Sequence, residues 1–184
     1  MDIFQYHFMQ NAILAGLLGG ITCSVVGVFV VTMHLSFIGV CIAHAAFAGA
    51  LLGLWLGFNP LIGALLFSLA AAAIVGPVAD RGELNPDTSI GIIFSLMLGL
   101  AFLFMGLMSG ARTEALNLFW GSILTVGQQD IIFLAATTGV IVGLVAVFYK
   151  EIQAVICHRE VALAVGIPAT VIFYGLLFST GVTI

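Results

Sequence analysis

The chain has 184 residues, of which 62% are hydrophobic and only 7% are charged. A water-soluble domain carries about 25% charged residues, so that class is excluded. The formal net charge of −4 comes from eight acids and four bases scattered over short loops, which excludes a basic surface for nucleic acid. From Ile3 to Ala79 there is no Asp, Glu, Lys or Arg, and this stretch suffices for about three membrane crossings. The sequence therefore predicts an all-α, polytopic membrane protein.

Six apolar segments follow one another along the chain. The predicted crossings are residues 8–31, 37–58, 61–79, 87–108, 131–149 and 168–184. Asn59-Pro60 marks a turn, because Pro lacks an N–H and biases the preceding residue away from helix. We expect one multi-pass domain, residues 1–184, in the cell (inner) membrane. Since the last apolar run continues to the final residue, we also expect C-terminal helices to be missing.

A seventh apolar stretch, within residues 112–129, is too short to cross. Its core at residues 115–126 contains Asn117, Gly121, Ser122 and Thr125. These features favour a re-entrant or interfacial segment.

The few basic residues predict the orientation. Lys and Arg in short loops stay on the cytoplasmic side. With six alternating crossings, Arg81, Lys150 and Arg159 fall on one side and only Arg112 falls on the other. We therefore expect the N-terminus outside.

Small residues recur every four positions along the second crossing. They are Cys41, Ala45, Gly49, Gly53 and Gly57. Helices in lipid associate by close backbone approach, which such spacing permits. We expect Gly49, Gly53 and Gly57 to pack against a neighbouring helix.

His44 is an ionisable residue near the middle of the second crossing. Such a residue in lipid is costly and marks a pathway or a site. Cys41 lies one turn earlier, so the imidazole and thiol could face one cavity and bind a zinc-like metal. The alternative is a histidine hydrogen-bonded to a neighbouring helix and a cysteine that only packs. Asp130, at the start of the fifth crossing, is interpreted as a helix cap.

Residues 160–168 read as a short Ala-rich helix that ends at Gly166, before Pro168 opens the last crossing. This helix falls on the predicted cytoplasmic side. It is either a contact for a cytoplasmic partner or an interfacial helix that snorkels Arg159.

Four stretches, in order, carry a resemblance to one family, the permease subunits of ABC-type zinc, manganese or iron importers (ABC-3). They are LSFIG with AHAA at residues 35–39 and 43–46, PDTSIGIIFS at 86–95, NLFWGSIL at 117–124 and ExAxAxGxP at 160–168. The match extends over nearly the full chain.

The resemblance implies a transporter subunit that is not an enzyme and binds no cofactor itself. A cytoplasmic ATPase subunit would bind ATP and dock on a coupling helix formed by Glu160, Ala162, Ala164 and Gly166. An extracytoplasmic metal-binding protein would deliver a divalent metal as substrate, and two permeases would form a homodimer. In the pathway, His44 would be a metal ligand. Cys41 is a candidate second ligand from its spacing to His44 and not from the resemblance.

The chain also departs from the family. Many members carry an Asp four residues before the second-helix His, where this chain has Val40. Without that oxygen ligand, the remaining imidazole favours zinc over manganese.

Three other functions remain open from the sequence. A permease for vitamin B12 or iron-siderophores would use similar partners but need more helices. A secondary transporter predicts intramembrane Asp, Glu or Arg, which are absent from Ile3 to Ala79. A membrane metalloenzyme would need an HExxH motif or a cluster of His and carboxylates, which the four scattered His residues do not supply.

Overall fold

A computed structural model describes residues 7–35, 37–80, 86–108, 126–157 and 159–183. Within these residues the chain forms eight helices. They are α1 (His7–Thr32), α2 (Ile38–Leu56), α3 (Pro60–Asp80), α4 (Pro86–Leu107), α5 (Gln128–Val147), α6 (Tyr149–Cys157), α7 (Arg159–Ala164) and α8 (Ala169–Thr183). Most of the predicted segment at residues 112–129 lies outside the described residues. The stretch 117–124 of the resemblance lies entirely outside them.

Five of these helices, α1 to α5, are long and apolar enough to cross a membrane, and α8 is a shorter apolar helix of 15 residues. The all-α membrane fold predicted from the sequence is confirmed. Its turn at Asn59-Pro60 is confirmed too: Asn59 Oδ1 accepts a hydrogen bond from the Leu61 N–H at 3.0 Å and so caps α3, with Pro60 as the first helical residue.

Helices α2, α3, α4 and α8 share the main apolar core, which includes Ile42, Val75, Ile93 and Leu177. Glycines allow α2 and α3 to touch through their backbones. A Cβ added at Gly49 would overlap the Gly63 carbonyl oxygen, and one at Gly53 would come within 3.0 Å of Pro60 Cα. This close backbone contact between α2 and α3 fixes the position of α2 within the bundle.

Gly57, the last of the small residues that recur every four positions along the second crossing, has a different role. A Cβ there would meet nothing within 4 Å. Its φ of +78° is left-handed, and its N–H donates to the Gly53 carbonyl. Gly57 therefore ends α2 as a C-cap, and this conformation explains the glycine.

Helices α1 and α5 form a second, parallel pair. Near one end, the Asn11 side-chain amide donates to the Val126 carbonyl at 3.3 Å. In the middle, the buried Thr22 and Thr138 hydroxyls lie 2.8 Å apart. At the other end, Phe29 of α1 packs in one cluster with Ile152 of α6. The start of α1 and the start of α5 thus lie on the same side of the bundle, as the predicted alternation of crossings requires.

His34 follows α1 with a φ of +56°, a left-handed conformation that non-glycine residues rarely adopt. The Leu35 N–H donates to the Val30 carbonyl at 3.0 Å and the His34 N–H to the Val31 carbonyl at 3.1 Å. This pair of bonds is a Schellman motif in which histidine occupies the usual glycine position. It turns the chain sharply from α1 towards α2.

Candidate functional site

His44 lies in the first half of α2 and is half-buried. Its Nδ1 is 2.9 Å from the Val40 carbonyl oxygen, one turn earlier. A carbonyl oxygen can only accept, so Nδ1 carries the hydrogen. In the neutral imidazole the lone pair then lies on Nε2, which is the tautomer that ligates a metal through Nε2.

An aromatic ring packs against this imidazole. The Phe94 ring of α4 meets it nearly edge to face, with centroids 4.9 Å apart and planes at 77°. Phe37 meets the same Phe94 ring at 6.2 Å and 82°. Sequence reasoning did not select Phe94 or Phe37; the available signals were the seven-residue spacing from Phe37 to His44, which places both on one helix face, and the position of Phe94 inside the stretch 86–95.

Cys41 lies deeper than His44. Its side chain is 0% exposed and belongs to the main apolar core with Ile38, Ile42 and Ala45. Val40, the position of the missing carboxylate, is 43% exposed. Among the described residues, no group of three or more His, Cys, Asp or Glu side chains could hold a metal ion. This part of the chain therefore offers His44 without a preformed cage around it.

The predicted coupling segment forms helix α7 and its cap. Gly166 has a φ of +88°, its N–H donates to the Leu163 carbonyl at 3.1 Å, and the Ile167 N–H donates to the Ala162 carbonyl at 2.9 Å. These bonds form a second Schellman motif, which confirms the predicted C-cap at Gly166.

The residues of this segment face different surroundings. Ala162 is only 3% exposed and packs with Val155 of α6 and Ala169 of α8. Ala164 and Gly166 are exposed, whereas the side chain of Glu160 lies outside the described residues. The exposed apolar side chains on this segment are Val161, Leu163 and Val165.

Two buried polar side-chain atoms lack a hydrogen-bond partner in the described part of the chain. They are Ser89 Oγ, near the start of α4, and Glu151 Oε2, in the first turn of α6. Asp130, by contrast, accepts a hydrogen bond from the Gly127 N–H through Oδ2 at 2.9 Å. The predicted capping role of Asp130 is confirmed.

Comparison with known proteins identifies similar chains. An uncharacterized membrane protein, slr2045, from Synechocystis is 34% identical over all of this chain and 66% of its own length. The manganese transport system membrane protein MntC of Listeria monocytogenes is 31% identical over 95% of this chain and 62% of its own length. The chain thus spans a little less than two thirds of these relatives.

A solved structure has the same fold. It is PsaBC from Streptococcus pneumoniae in complex with a Fab, with a TM-score of 0.78 and 29% sequence identity over 98% of this chain and 66% of the solved chain. The model of the ABC 3 transport family matches residues 5–184. The chain therefore belongs to the ABC 3 transport family.

Proposed function

We propose that this chain is the transmembrane permease subunit of an ATP-driven importer of divalent metal ions. Two copies form the permease, a cytoplasmic ATPase subunit supplies ATP hydrolysis, and an extracytoplasmic protein delivers the metal. The permease catalyses no reaction itself. Support comes from the family match over residues 5–184 and from the manganese transport role in the name of the Listeria relative.

The observation that carries the proposal is the contact of His44 Nδ1 with the Val40 carbonyl oxygen. The Val40 carbonyl holds the hydrogen on Nδ1 at 2.9 Å, so a neutral imidazole directs a nitrogen lone pair from Nε2 without placing a charge in the membrane. One such ligand in a half-buried position suits a pathway, in which each site must bind the ion and also release it.

We further propose zinc as the preferred ion over manganese. Imidazole suits Zn²⁺, whereas carboxylate oxygens suit Mn²⁺. Val40, one turn before His44, supplies only an apolar side chain on the exposed side of α2. The name of the Listeria relative points to manganese, so the two ions are the natural competitors in a test.

The import function is tested by His44→Ala in the intact transporter in its host cell. We expect uptake of radioactive zinc to fall to background, with unchanged abundance in the membrane and unchanged co-purification of the ATPase subunit. The control is His34→Asn, since Asn tolerates the left-handed backbone of His34, and it should retain uptake. Normal uptake by His44→Ala would refute the metal-pathway role.

The metal preference has its own test. Unlabelled zinc should suppress the uptake of radioactive zinc at a lower concentration than unlabelled manganese does. Val40→Asp should then improve competition by manganese, because it adds a hard oxygen one turn from His44. Equal competition by both ions before the substitution would refute the zinc preference and leave the import function standing.

We propose that the ATPase subunit docks on the exposed apolar side of α7, around Leu163, Ala164 and Val165. Ala164→Arg adds a charge to that surface and should weaken co-purification of the ATPase. Gln153→Arg, an equal charge on an exposed position of α6, is the control. Ala162→Arg is unsuitable as a test of docking, since Ala162 is buried and a charge there would unpack α7. Full ATPase binding by Ala164→Arg would contradict this docking surface.

A further inference from the structure

We propose that Phe94 is the positioning residue for the His44 imidazole, so that α4 sets the orientation of the metal ligand carried by α2. This inference rests on the proposed metal-pathway role of His44. Phe94 itself would not touch the ion.

Two of the contacts that the imidazole makes bear on its orientation. The first is the bond from Nδ1 to the Val40 carbonyl, which lies within α2. The second is the nearly perpendicular contact with Phe94, at 77° and 4.9 Å between centroids. The bond to Val40 restrains Nδ1, and because χ2 of histidine has broad preferences, a ring contact from a neighbouring helix adds to that restraint. The Phe94 ring restrains the imidazole on the side of α4.

Phe94 is itself held in place. Its ring lies against both Phe37, the N-cap residue directly before α2, and His44, seven residues later within α2. Phe94 also packs against the main apolar core, where its neighbours Ile93 and Met97 are buried. A side chain fixed in this way can transmit the position of α4 to the imidazole.

An aromatic ring orients the imidazole in a way that an aliphatic side chain does not. Rings prefer perpendicular or offset contacts because each has a negative face and a positive edge. Leucine would fill part of the same volume without that angular preference. If Phe94 only fills space, an aliphatic residue of similar size should serve as well.

The first test measures zinc uptake kinetics for Phe94→Leu, Phe94→Met and Phe94→Tyr in the intact transporter. We expect the aliphatic variants to raise KM about three- to tenfold, which is the range of an aromatic pair interaction, with the maximal rate little changed. Phe94→Tyr should restore KM, because the ring is retained. The control is Phe102→Leu, at an exposed position of the same helix, and it should leave KM unchanged.

The second test does not depend on transport. Nitrogen NMR of the labelled complex in lipid nanodiscs distinguishes histidine protonated at Nδ1 from histidine protonated at Nε2. We expect the His44 signal of the wild type to show Nδ1–H, and those of Phe94→Leu and Phe94→Met to show a mixture. Phe94→Tyr should return the signal to Nδ1–H.

These outcomes separate the two proposals. Unchanged KM together with an unchanged His44 signal in Phe94→Met would overturn the positioning role, whatever the substrate. Normal uptake by His44→Ala with a changed His44 signal in Phe94→Met would instead refute the metal-pathway role and leave the positioning of the imidazole by Phe94 intact. A rise in KM or a mixed His44 signal that appears equally in Phe94→Tyr would also overturn the positioning role. It would show that retaining an aromatic ring does not preserve the orientation of the imidazole.

Discussion

The most direct test of the helix packing adds a single methyl group at Gly49, in the variant Gly49→Ala. The Cβ of Gly49→Ala would overlap the Gly63 carbonyl oxygen and lie 2.7 Å from Phe67 Cβ, where ordinary contact begins at 3.4 Å. Both obstacles are rigid parts of α3, so the two helices must separate by about 0.7 Å or more. A gap of that size forfeits about a quarter to a half of the dispersion energy of each facing pair. We expect a loss of about 1–3 kcal/mol in the free energy of unfolding.

The measurement is reversible unfolding by SDS in bicelles, with helix content followed by circular dichroism. The control is Gly99→Ala in α4, where an added Cβ would meet nothing within 4 Å. Because alanine is the better helix former, this variant should be stabilised by about 0–1 kcal/mol. If both variants unfold at the same SDS concentration, the close contact between α2 and α3 does not determine stability and the reasoning is wrong.

Three further predictions use the same unfolding measurement. Changing Thr22 and Thr138 to Val, singly and together, should give a coupling energy of about 0.6 kcal/mol and at most about 1.7 kcal/mol; strictly additive losses would contradict a bond between the hydroxyls. Ser89→Ala should be neutral or stabilising by about 1 kcal/mol, because the buried hydroxyl has no partner among the described residues; a clear loss would show that the hydroxyl is bonded. His34→Gly should stabilise by about 1 kcal/mol by removing left-handed strain, whereas an unchanged midpoint would show that the histidine carries no strain there.

The helices themselves could be predicted from the sequence because their signals are local. Runs of apolar residues of membrane length gave the crossings, and Asn59-Pro60 gave the break between α2 and α3. Gly166 before Pro168 gave the end of α7, which the two bonds of the Schellman motif confirm. Asp130 gave the cap of α5. Each of these features depends on a few neighbouring residues only.

The face that each helix turns towards its neighbours could not be predicted in this way. In water, a polar face marks the exposed side of a helix, but lipid tails and protein interiors are equally apolar, so the pattern carries no such mark. Cys41 and His44 looked equivalent from their spacing, yet Cys41 is in the core and His44 is only half-buried. Ala162 likewise gave no sign that it is buried while Ala164 is exposed.

The Thr22–Thr138 contact also has a consequence for how the protein is made. The two residues are 116 positions apart, and ribosomes add about 5–20 residues per second, so α1 waits about 6–23 s in the membrane before its partner emerges. During that wait the Thr22 hydroxyl can donate its hydrogen to the Leu18 carbonyl of its own helix, whose oxygen lies 2.8 Å away in the finished structure. The Thr22 hydroxyl therefore has a partner in lipid before α5 emerges, and Thr138, whose hydroxyl lies 2.7 Å from the Leu134 carbonyl oxygen, arrives with the same option. Each hydroxyl has one hydrogen, so forming the Thr22–Thr138 bond turns one of the two from its own helix to the other. Assembly then joins two helices that are each already stable in the bilayer.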